Sequence, residues 1–399
     1  MEKLEYKNNV IVLRNQRLVK FVVYSIPLIL LLEWLHQFEL MPNFPPLVLK
    51  AISIIVFFKF LLTKTFKTIS FGFKKPLIFF LILNLVYSFF SSEIIESLYY
   101  SIRILYWILG TFTFYALYQS FNLTVKDLKL MIKSVVIIGS FFTIILLLQL
   151  SKEGEYDNAS AYLLLWCLPL LLLFGYSKTN RLLMAIALIA IFMTIKRGAM
   201  IASIVAFYVY VFSVLYISKS VKHKIRTLLF CGFFSVIVSV VVFFNWDIVN
   251  ERLSDKTGSG RDEMYMSIIE NYTNGDLQNL IFGYGLNSVQ EFTKTYYGGI
   301  RLDNKVGVAA HSDWIQYIHD FGVFGIIFMV WLHIIFLKLI KYNYRVKSYM
   351  FPIALSAYSI FFLTTIYSFI LNTPNAFYFG IVIAVINIET NKIKNQQIV

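Results

Sequence analysis

The sequence predicts an all-α polytopic integral membrane protein, with about twelve transmembrane helices and one large outer-face loop that contains short helices. Three observations predict it. Hydrophobic residues make up 58% of the 399 and charged residues only 15%, against roughly 25% charged in ordinary soluble domains. Apolar runs of about 20 residues recur along the whole chain, the length that a bilayer's hydrocarbon core demands of a helix. Lys and Arg gather in short clusters between alternate runs, the charge asymmetry of a multi-spanning protein.

The expected spans lie near residues 18–36, 45–63, 76–92, 98–120, 130–150, 159–176, 181–195, 198–217, 226–245, 317–338, 349–370 and 375–389. The seventh is short and meets the eighth at a tight turn. The chain divides into residues 1–245 with nine membrane helices, 246–313 as the large loop, and 314–399 with three more helices and a tail. Lys3, Lys7, Arg14 and Arg17 precede the first span; Lys64, Lys67, Lys74 and Lys75 follow the second. Lys126 and Lys129, Lys178 and Arg181, Lys219 to Arg226, Lys341 to Lys347, and Lys392 with Lys394 fall on that same side. This side is expected to be cytoplasmic, with both termini on it. The opposite loops hold Glu39, Glu93, Glu96, Glu153, Glu155 and Asp157, and the long loop falls with them.

Several function classes drop out. The net charge of +14 does not form one basic stripe, so nucleic acid is not an expected partner. Cys167 and Cys231 lie inside apolar runs and read as small hydrophobes rather than a disulfide or metal site. The first apolar run is long and lacks a small-residue cleavage site, so it reads as a retained first helix.

The exceptions to the charge rule point to chemistry. Lys196 and Arg197 fall between the seventh and eighth spans on the outer side, and Arg252, Lys256, Arg261, Arg301 and Lys305 fall in the outer loop. Arg103 falls in the middle of the fourth span, where a charge is expensive and marks a functional path by default. An acidic partner or lipid head groups are the alternative explanation for each. Residues 256–272 read as a Gly-rich turn feeding a helix. Ser259 and Asp262 have capping-box spacing, so the helix begins near Gly260. Tyr265, Ile268, Ile269 and Tyr272 share one face, as on a helix lying along the membrane surface. The helix start and Arg261 together offer an anion site. Further on, Ser312 or Asp313 is an N-cap with His311 just before it. A helix N-terminus disfavours a protonated imidazole, which leaves His311 able to accept a proton; the alternative is an interfacial histidine bonded to backbone. His319 reads as a packing residue. Trp246, Tyr284, Tyr296, Tyr297 and Trp314 are either sugar-stacking platforms or ordinary members of an aromatic-rich chain.

Three blocks occur in order: Lys196-Arg197-Gly198-Ala199; Ser259-Gly260-Arg261 followed by Phe282-Gly283-Tyr284-Gly285; and His311-Ser312-Asp313-Trp314 running into Phe321-Gly322-Val323-Phe324-Gly325. Their order and spacing over residues 180–340 resemble the O-antigen ligase and polymerase superfamily. The resemblance implies a bacterial glycosyltransferase of the cytoplasmic (inner) membrane, acting at its outer face. It implies a donor glycan on undecaprenyl diphosphate, diphosphate-binding arginines at Arg197 and Arg261, and a base at His311. Two departures stand out. Many relatives have Ser where this chain has Lys196, and Asn where it has Ser312. Lys196 is then a further phosphate contact or the partner of an outer acid. Arg252 and Arg301 compete with Arg261 for the second clamp.

The expectation is a polysaccharide (O-antigen or capsule) polymerase that moves a growing glycan from its lipid diphosphate onto a lipid-linked repeat unit. His311 activates the acceptor hydroxyl, Arg197, Arg261, Lys196 and Arg252 hold the diphosphate, and Arg103, Tyr265 and Trp314 line the substrate path. Outer loops without an Asp-x-Asp pair point to a metal-independent route with no cofactor. Expected partners are lipid-linked oligosaccharides, the bilayer and a regulator of chain length. A ligase that transfers the finished glycan to a lipid core or protein shares this donor and chemistry. A flippase or transporter for the same lipids is the rival from another class; it would show internal repeats and broken, charged helices, and no convincing repeat occurs.

Overall fold

The computed structural model describes residues 2–37, 40–42, 44–62, 70–89, 91, 94–120, 122–150, 159–175, 177–194, 196–244, 246, 250, 261–296, 308–371, 373 and 375–398. Among them, sixteen helices have assigned bounds and no residue is in a strand. They are α1 (Glu2–Gln37), α2 (Phe44–Leu62), α3 (Lys74–Phe89), α4 (Ile94–Gln119), α5 (Val125–Leu150), α6 (Ala159–Leu173), α7 (Lys178–Met193), α8 (Arg197–Ile217) and α9 (Val221–Phe244). Then come α10 (Arg261–Thr273), α11 (Leu277–Phe282), α12 (Ser288–Tyr296), α13 (Asp313–Phe321), α14 (Val323–Arg345), α15 (Met350–Tyr367) and α16 (Ala376–Ile398).

Among the described residues, eight helices are long and apolar enough to cross a membrane: α2, α8, α9, α14, α15 and the apolar stretches of α1, α5 and α16. The chain is a multi-pass membrane protein. The other expected spans also form helices, α3, α4, α6 and α7, outside that set. The tenth expected span, 317–338, is divided. Its first residues belong to the short helix α13, and the long apolar helix begins only at Val323. Gly322 makes the break with φ +58, a left-handed conformation in which a side chain is strained. Of the charges that set the expected orientation, Glu39, Lys64, Lys67, Glu93, Glu153, Glu155 and Asp157 lie outside the described residues.

The chain forms two compact units. The first contains Met1–Phe71, Tyr106–Thr194 and Phe377–Val399. Here α5 packs on α1, α6 and α7, and α1 on α2. The α4 and α16 backbones approach closely. A Cβ on Gly110 would lie 2.2 Å from the Phe377 ring, and one on Gly380 would lie 1.9 Å from Thr111 Oγ1. Glu33 pairs with Lys50, and Tyr118 Oη donates to Glu389 Oε1 at 2.9 Å.

The second unit contains Gly72–Leu105 and Ile195–Ala376, and holds every candidate site residue. Its helix ends can be sorted from contacts. Tyr216 in the last turn of α8 stacks on Tyr344 in the last turn of α14, with hydroxyls 3.1 Å apart, and Tyr344 meets Phe351 at the start of α15. These three termini therefore share one end of the unit. Since α8 packs along α15, the start of α8, the start of α14 and the finish of α15 share the opposite end, about 30 Å away at 1.5 Å per residue. Helix α3 runs antiparallel to α14: Phe73 meets Phe336, Phe80 stacks on Phe328 at 4.1 Å, and Tyr87 reaches Phe321. The short helices α10 to α13 gather at that second end around a small core of Met264, Ile268, Val289 and Ala310.

Candidate functional site

His311 sits in the turn before α13, half-buried, with φ +53. A left-handed conformation is uncommon for a side chain of this size, and such positions cluster where geometry matters for function. Three anchors hold it. Ser312 is the N-cap of α13, and its Oγ also donates to Thr365 O at 3.2 Å. Asp313 N donates to Ser368 O at 3.1 Å, while the buried Asp313 carboxylate accepts from Ile370 N and Leu371 N at 3.1 and 3.2 Å. Burial pushes that carboxyl well above the usual carboxylate range, and the two N–H donors oppose the shift. Tyr265 Oη donates to His311 O at 3.0 Å. His311 is thereby tied both to the end of α15 and to α10.

The same ties bring the cationic candidates to this end. Lys196 is the N-cap residue of α8 and Arg197 its first helical residue, and Lys196 makes no side-chain capping bond. A lysine has only donors, so it has nothing to offer the open N–H groups of the first turn. Two cationic residues thus stand at the positive end of the α8 dipole. Arg261 opens α10, one turn before Tyr265, so its backbone stands ~6 Å along the helix from the residue that holds His311. Arg103 lies in the first half of the 26-residue α4 rather than midway along it. Its guanidinium carbon is 5.5 Å from the Tyr100 ring centre. Ser101, half a turn before it, is 2.6 Å from Ser88 Oγ at the α13 end of α3, so Arg103 belongs to the same end. Trp314 stacks on His333 with centroids 5.4 Å apart. Arg252, Lys256, Ser259, Gly260, Tyr297, Arg301 and Lys305 lie outside the described residues.

Two glycine blocks prove to be partners of each other. Gly283 has φ +75, and a Cβ there would lie 2.4 Å from Asp320 O; a Cβ on Gly322 would lie 2.6 Å from Ile281 O. The backbones touch, and Tyr284 N donates to His319 O at 2.9 Å while Gly285 N donates to Asp320 O at 3.0 Å. Residues 282–285 thus clamp the junction of α13 and α14. The expected apolar face of α10 is also adjusted: Met264 and Ile268 are buried, whereas Ile269 is exposed.

Beneath His311 lies a polar cluster that only its neighbour His319 hinted at in the sequence. Ser288 Oγ is 2.8 Å from His319 Nδ1 and 2.9 Å from Asp320 Oδ1. Gln316 Nε2 donates to Asp320 Oδ2 at 2.9 Å and to Gln290 Oε1 at 3.1 Å, and Gln316 Oε1 accepts from Ala310 N at 3.1 Å. His319 Nε2 is 3.0 Å from Asn271 Oδ1. Tyr284 stacks on His319 at 4.7 Å and donates to Asn271 O at 3.0 Å. Burial pushes the Asp320 carboxyl up to about 7, against hydrogen bonds from Gln316, Ser288 and two backbone amides. Burial also holds the His319 imidazole down at about 4. The readable signal was polar Gln316, His319 and Asp320 on one helix next to an apolar span.

Residues 182–330 match the model of a family described as O-antigen ligase. The match runs from α7 into the first turns of α14, so it contains Lys196, Arg197, Arg261, Tyr265 and His311. No curated protein matches the chain. Over residues 182–330 the chain is thus similar to the O-antigen ligase family, in agreement with the resemblance carried by its three sequence blocks.

Proposed function

We propose that this protein is a polysaccharide polymerase of the bacterial cytoplasmic membrane, with both termini inside and the α10–α13 region at the outer face. Its donor is a glycan on a polyprenyl diphosphate, and its acceptor is a sugar hydroxyl of a lipid-linked repeat unit. The acceptor O–H gives its proton to the His311 imidazole as the oxygen attacks the donor's anomeric carbon. The bond from that carbon to the diphosphate oxygen breaks with both electrons going to the diphosphate. Lys196, Arg197 and the first turn of α8 receive the developing charge, with Arg261 at the start of α10 as a second clamp and Arg252 as its competitor. Cations fixed where charge develops lower such a barrier, and a base in place contributes about 10²–10⁴-fold. Arg103, Tyr265 and Trp314 stand along the substrate path. No step requires a metal, since a diphosphate is already a good leaving group.

The observation that carries this reading is the pair of cationic residues at the start of α8, Lys196 and Arg197, at the same end of the unit as the constrained His311. Deleting the gene and complementing with wild type or His311→Ala tests it on surface and lipid-linked glycans resolved by gel. Collapse to single repeat units, restored to a ladder by wild type alone, supports the polymerase. Long glycans that stay on the lipid carrier assign the protein as a ligase, whose donor chemistry is the same. Full restoration by His311→Ala removes the proposed base.

A further inference from the structure

The cluster beneath His311 can hold its protons in two hydrogen-bonded arrangements. A hydroxyl has one proton to give, and a neutral imidazole has one donor and one acceptor nitrogen. When Asp320 carries a proton, the contacts from Asp320 through Ser288 and His319 to Asn271 run in one direction, beside those that Asp320 accepts from Gln316 and two backbone amides. With the carboxylate ionised, Ser288 Oγ donates to Asp320 Oδ1; a proton on that oxygen reverses the contact, so that Asp320 donates to Ser288 Oγ, Ser288 to His319 Nδ1, and His319 Nε2–H to Asn271 Oδ1. When that proton leaves, Ser288 turns its hydroxyl to the carboxylate. His319 must then carry its proton on Nδ1, so its Nε2 lone pair faces Asn271 Oδ1. That contact is repulsive until the Asn271 amide turns over. Asn271 Oδ1 lies 3.0 Å from His319 Nε2, and this is the contact that distinguishes the two arrangements.

We infer that Asp320, Ser288, His319 and Asn271 form a one-proton hydrogen-bond chain that seats α10 against α13, making Asp320 and His319 positioning residues for the transfer site. The inference rests on the glycosyl-transfer reading for its consequence, because α10 carries Arg261 and the Tyr265 hydroxyl that holds His311. The helices around the cluster bring few ionisable groups to it. Tyr284 stacks on His319, and Tyr317 on α13 senses the charges of Asp313 and Asp320, the former held by the Ile370 and Leu371 amides. From α10, Asp262, Glu263 and Glu270 are exposed and Tyr272 donates to Leu280 O. Helix α12 has the half-buried Glu291, and α3 has Tyr87, which donates to Phe282 O. On α14, His333 is taken up by Trp314 and Tyr358, and the α15 residues facing α13 are Thr365 and Ser368, which do not ionise.

The experiment uses the full chain in lipid nanodiscs with isotope-labelled histidine. Only five histidines are present, and His319→Gln identifies the signal. Chemical shifts separate the two neutral tautomers between pH 6 and 8.5. The expected result is an Nε2–H tautomer at the acid end that converts to Nδ1–H as pH rises through about 7, where burial sets the Asp320 carboxyl. Asp320→Asn, whose amide donates to Ser288 at every pH, holds His319 as Nε2–H throughout. A His319 that keeps one tautomer across the range in wild type overturns the inference, as does an Asp320→Asn protein that converts like wild type. Transfer from a lipid-diphosphate donor is followed on the same samples. A basic limb in the wild-type profile that Asp320→Asn removes, with the acid limb of His311 unmoved, supports the positioning role; a basic limb that survives in Asp320→Asn overturns it. If no sample transfers glycan while the tautomer still switches, the hydrogen-bond chain stands and the glycosyl-transfer reading fails.

Discussion

Replacing Asp320 with Asn gives a pH dependence of stability whose sign the structure fixes. The Asp320 carboxyl moves from 3.8 in the open chain to about 7 in the fold. Between those values the folded state holds one more proton than the unfolded state, so stability falls as pH rises. At about 1.4 kcal/mol per pH unit, this amounts to ~4 kcal/mol across the window. His319 moves the other way, from 6.5 to about 4. Between those values the unfolded state holds the extra proton, so stability rises with pH by a similar ~3 kcal/mol. In the wild type the two slopes cancel between about pH 4 and 6.5, and the pair contributes a nearly flat profile. Asp320→Asn leaves only the histidine, so the variant gains ~3 kcal/mol from pH 4 to 6.5 relative to wild type. His319→Gln leaves only the carboxyl and loses ~4 kcal/mol from pH 4 to 7. The assay is the thermal midpoint of purified protein in one detergent, followed by helical circular dichroism every half unit of pH. Difference curves against wild type remove the contributions of all other groups. Two variants with parallel difference curves, or differences flat with pH, would refute the assignment of both shifts.

Other perturbations separate chemistry from scaffold. His311→Ala should reduce glycan transfer about 10²–10⁴-fold with the thermal midpoint within a few degrees of wild type, as read from polymer ladders made by purified protein. Arg197→Ala should raise the donor KM about tenfold to a hundredfold, the worth of a charged hydrogen bond, and Arg197→Lys should recover part of it. Tyr265→Phe removes the donor to the His311 carbonyl; kcat should fall several-fold with donor KM unchanged, since about 0.5–1.5 kcal/mol of positioning is lost. Gly283→Ala should cost at least ~2 kcal/mol, because the new Cβ meets Asp320 O in a left-handed conformation. Gly285→Ala, with open space around the added carbon, should cost less, and the difference in thermal midpoint isolates the clash.

How far the sequence alone could be read follows from what each feature depends on. The long helices were legible because a bilayer sets their length and the apolar runs meet it. The N-cap at Ser312 was legible because capping is local; the expected cap at Ser259 lies outside the described residues. The boundary between α13 and α14 was not. The apolar pattern continues through Tyr317, Phe321 and Phe324, and only the left-handed Gly322 breaks it. On α10, residues 268 and 269 are equally apolar, and only packing against Val289 and Ala310 decides which is buried. The chain from Asp320 to Asn271 was invisible for a different reason. Its members come from α10, α12 and α13, and no spacing rule links them. Reading His319 as a packing residue was correct as to burial, and the hydrogen bonds that burial demands were the missing half. Arg103 illustrates the reverse error, since its place near the site end follows from the Ser88–Ser101 contact and not from its position in an apolar run.

The central claim is that this chain moves a glycan from a polyprenyl diphosphate to a hydroxyl, with His311 as base. The most direct test gives purified protein in nanodiscs a defined lipid-diphosphate-linked repeat unit and follows products by mass spectrometry. Oligomers of two or more repeats together with free polyprenyl diphosphate are expected from wild type, and neither from His311→Ala. Oligomers formed equally by His311→Ala, or a wild type that moves the intact lipid between leaflets and forms no new glycosidic bond, would contradict it.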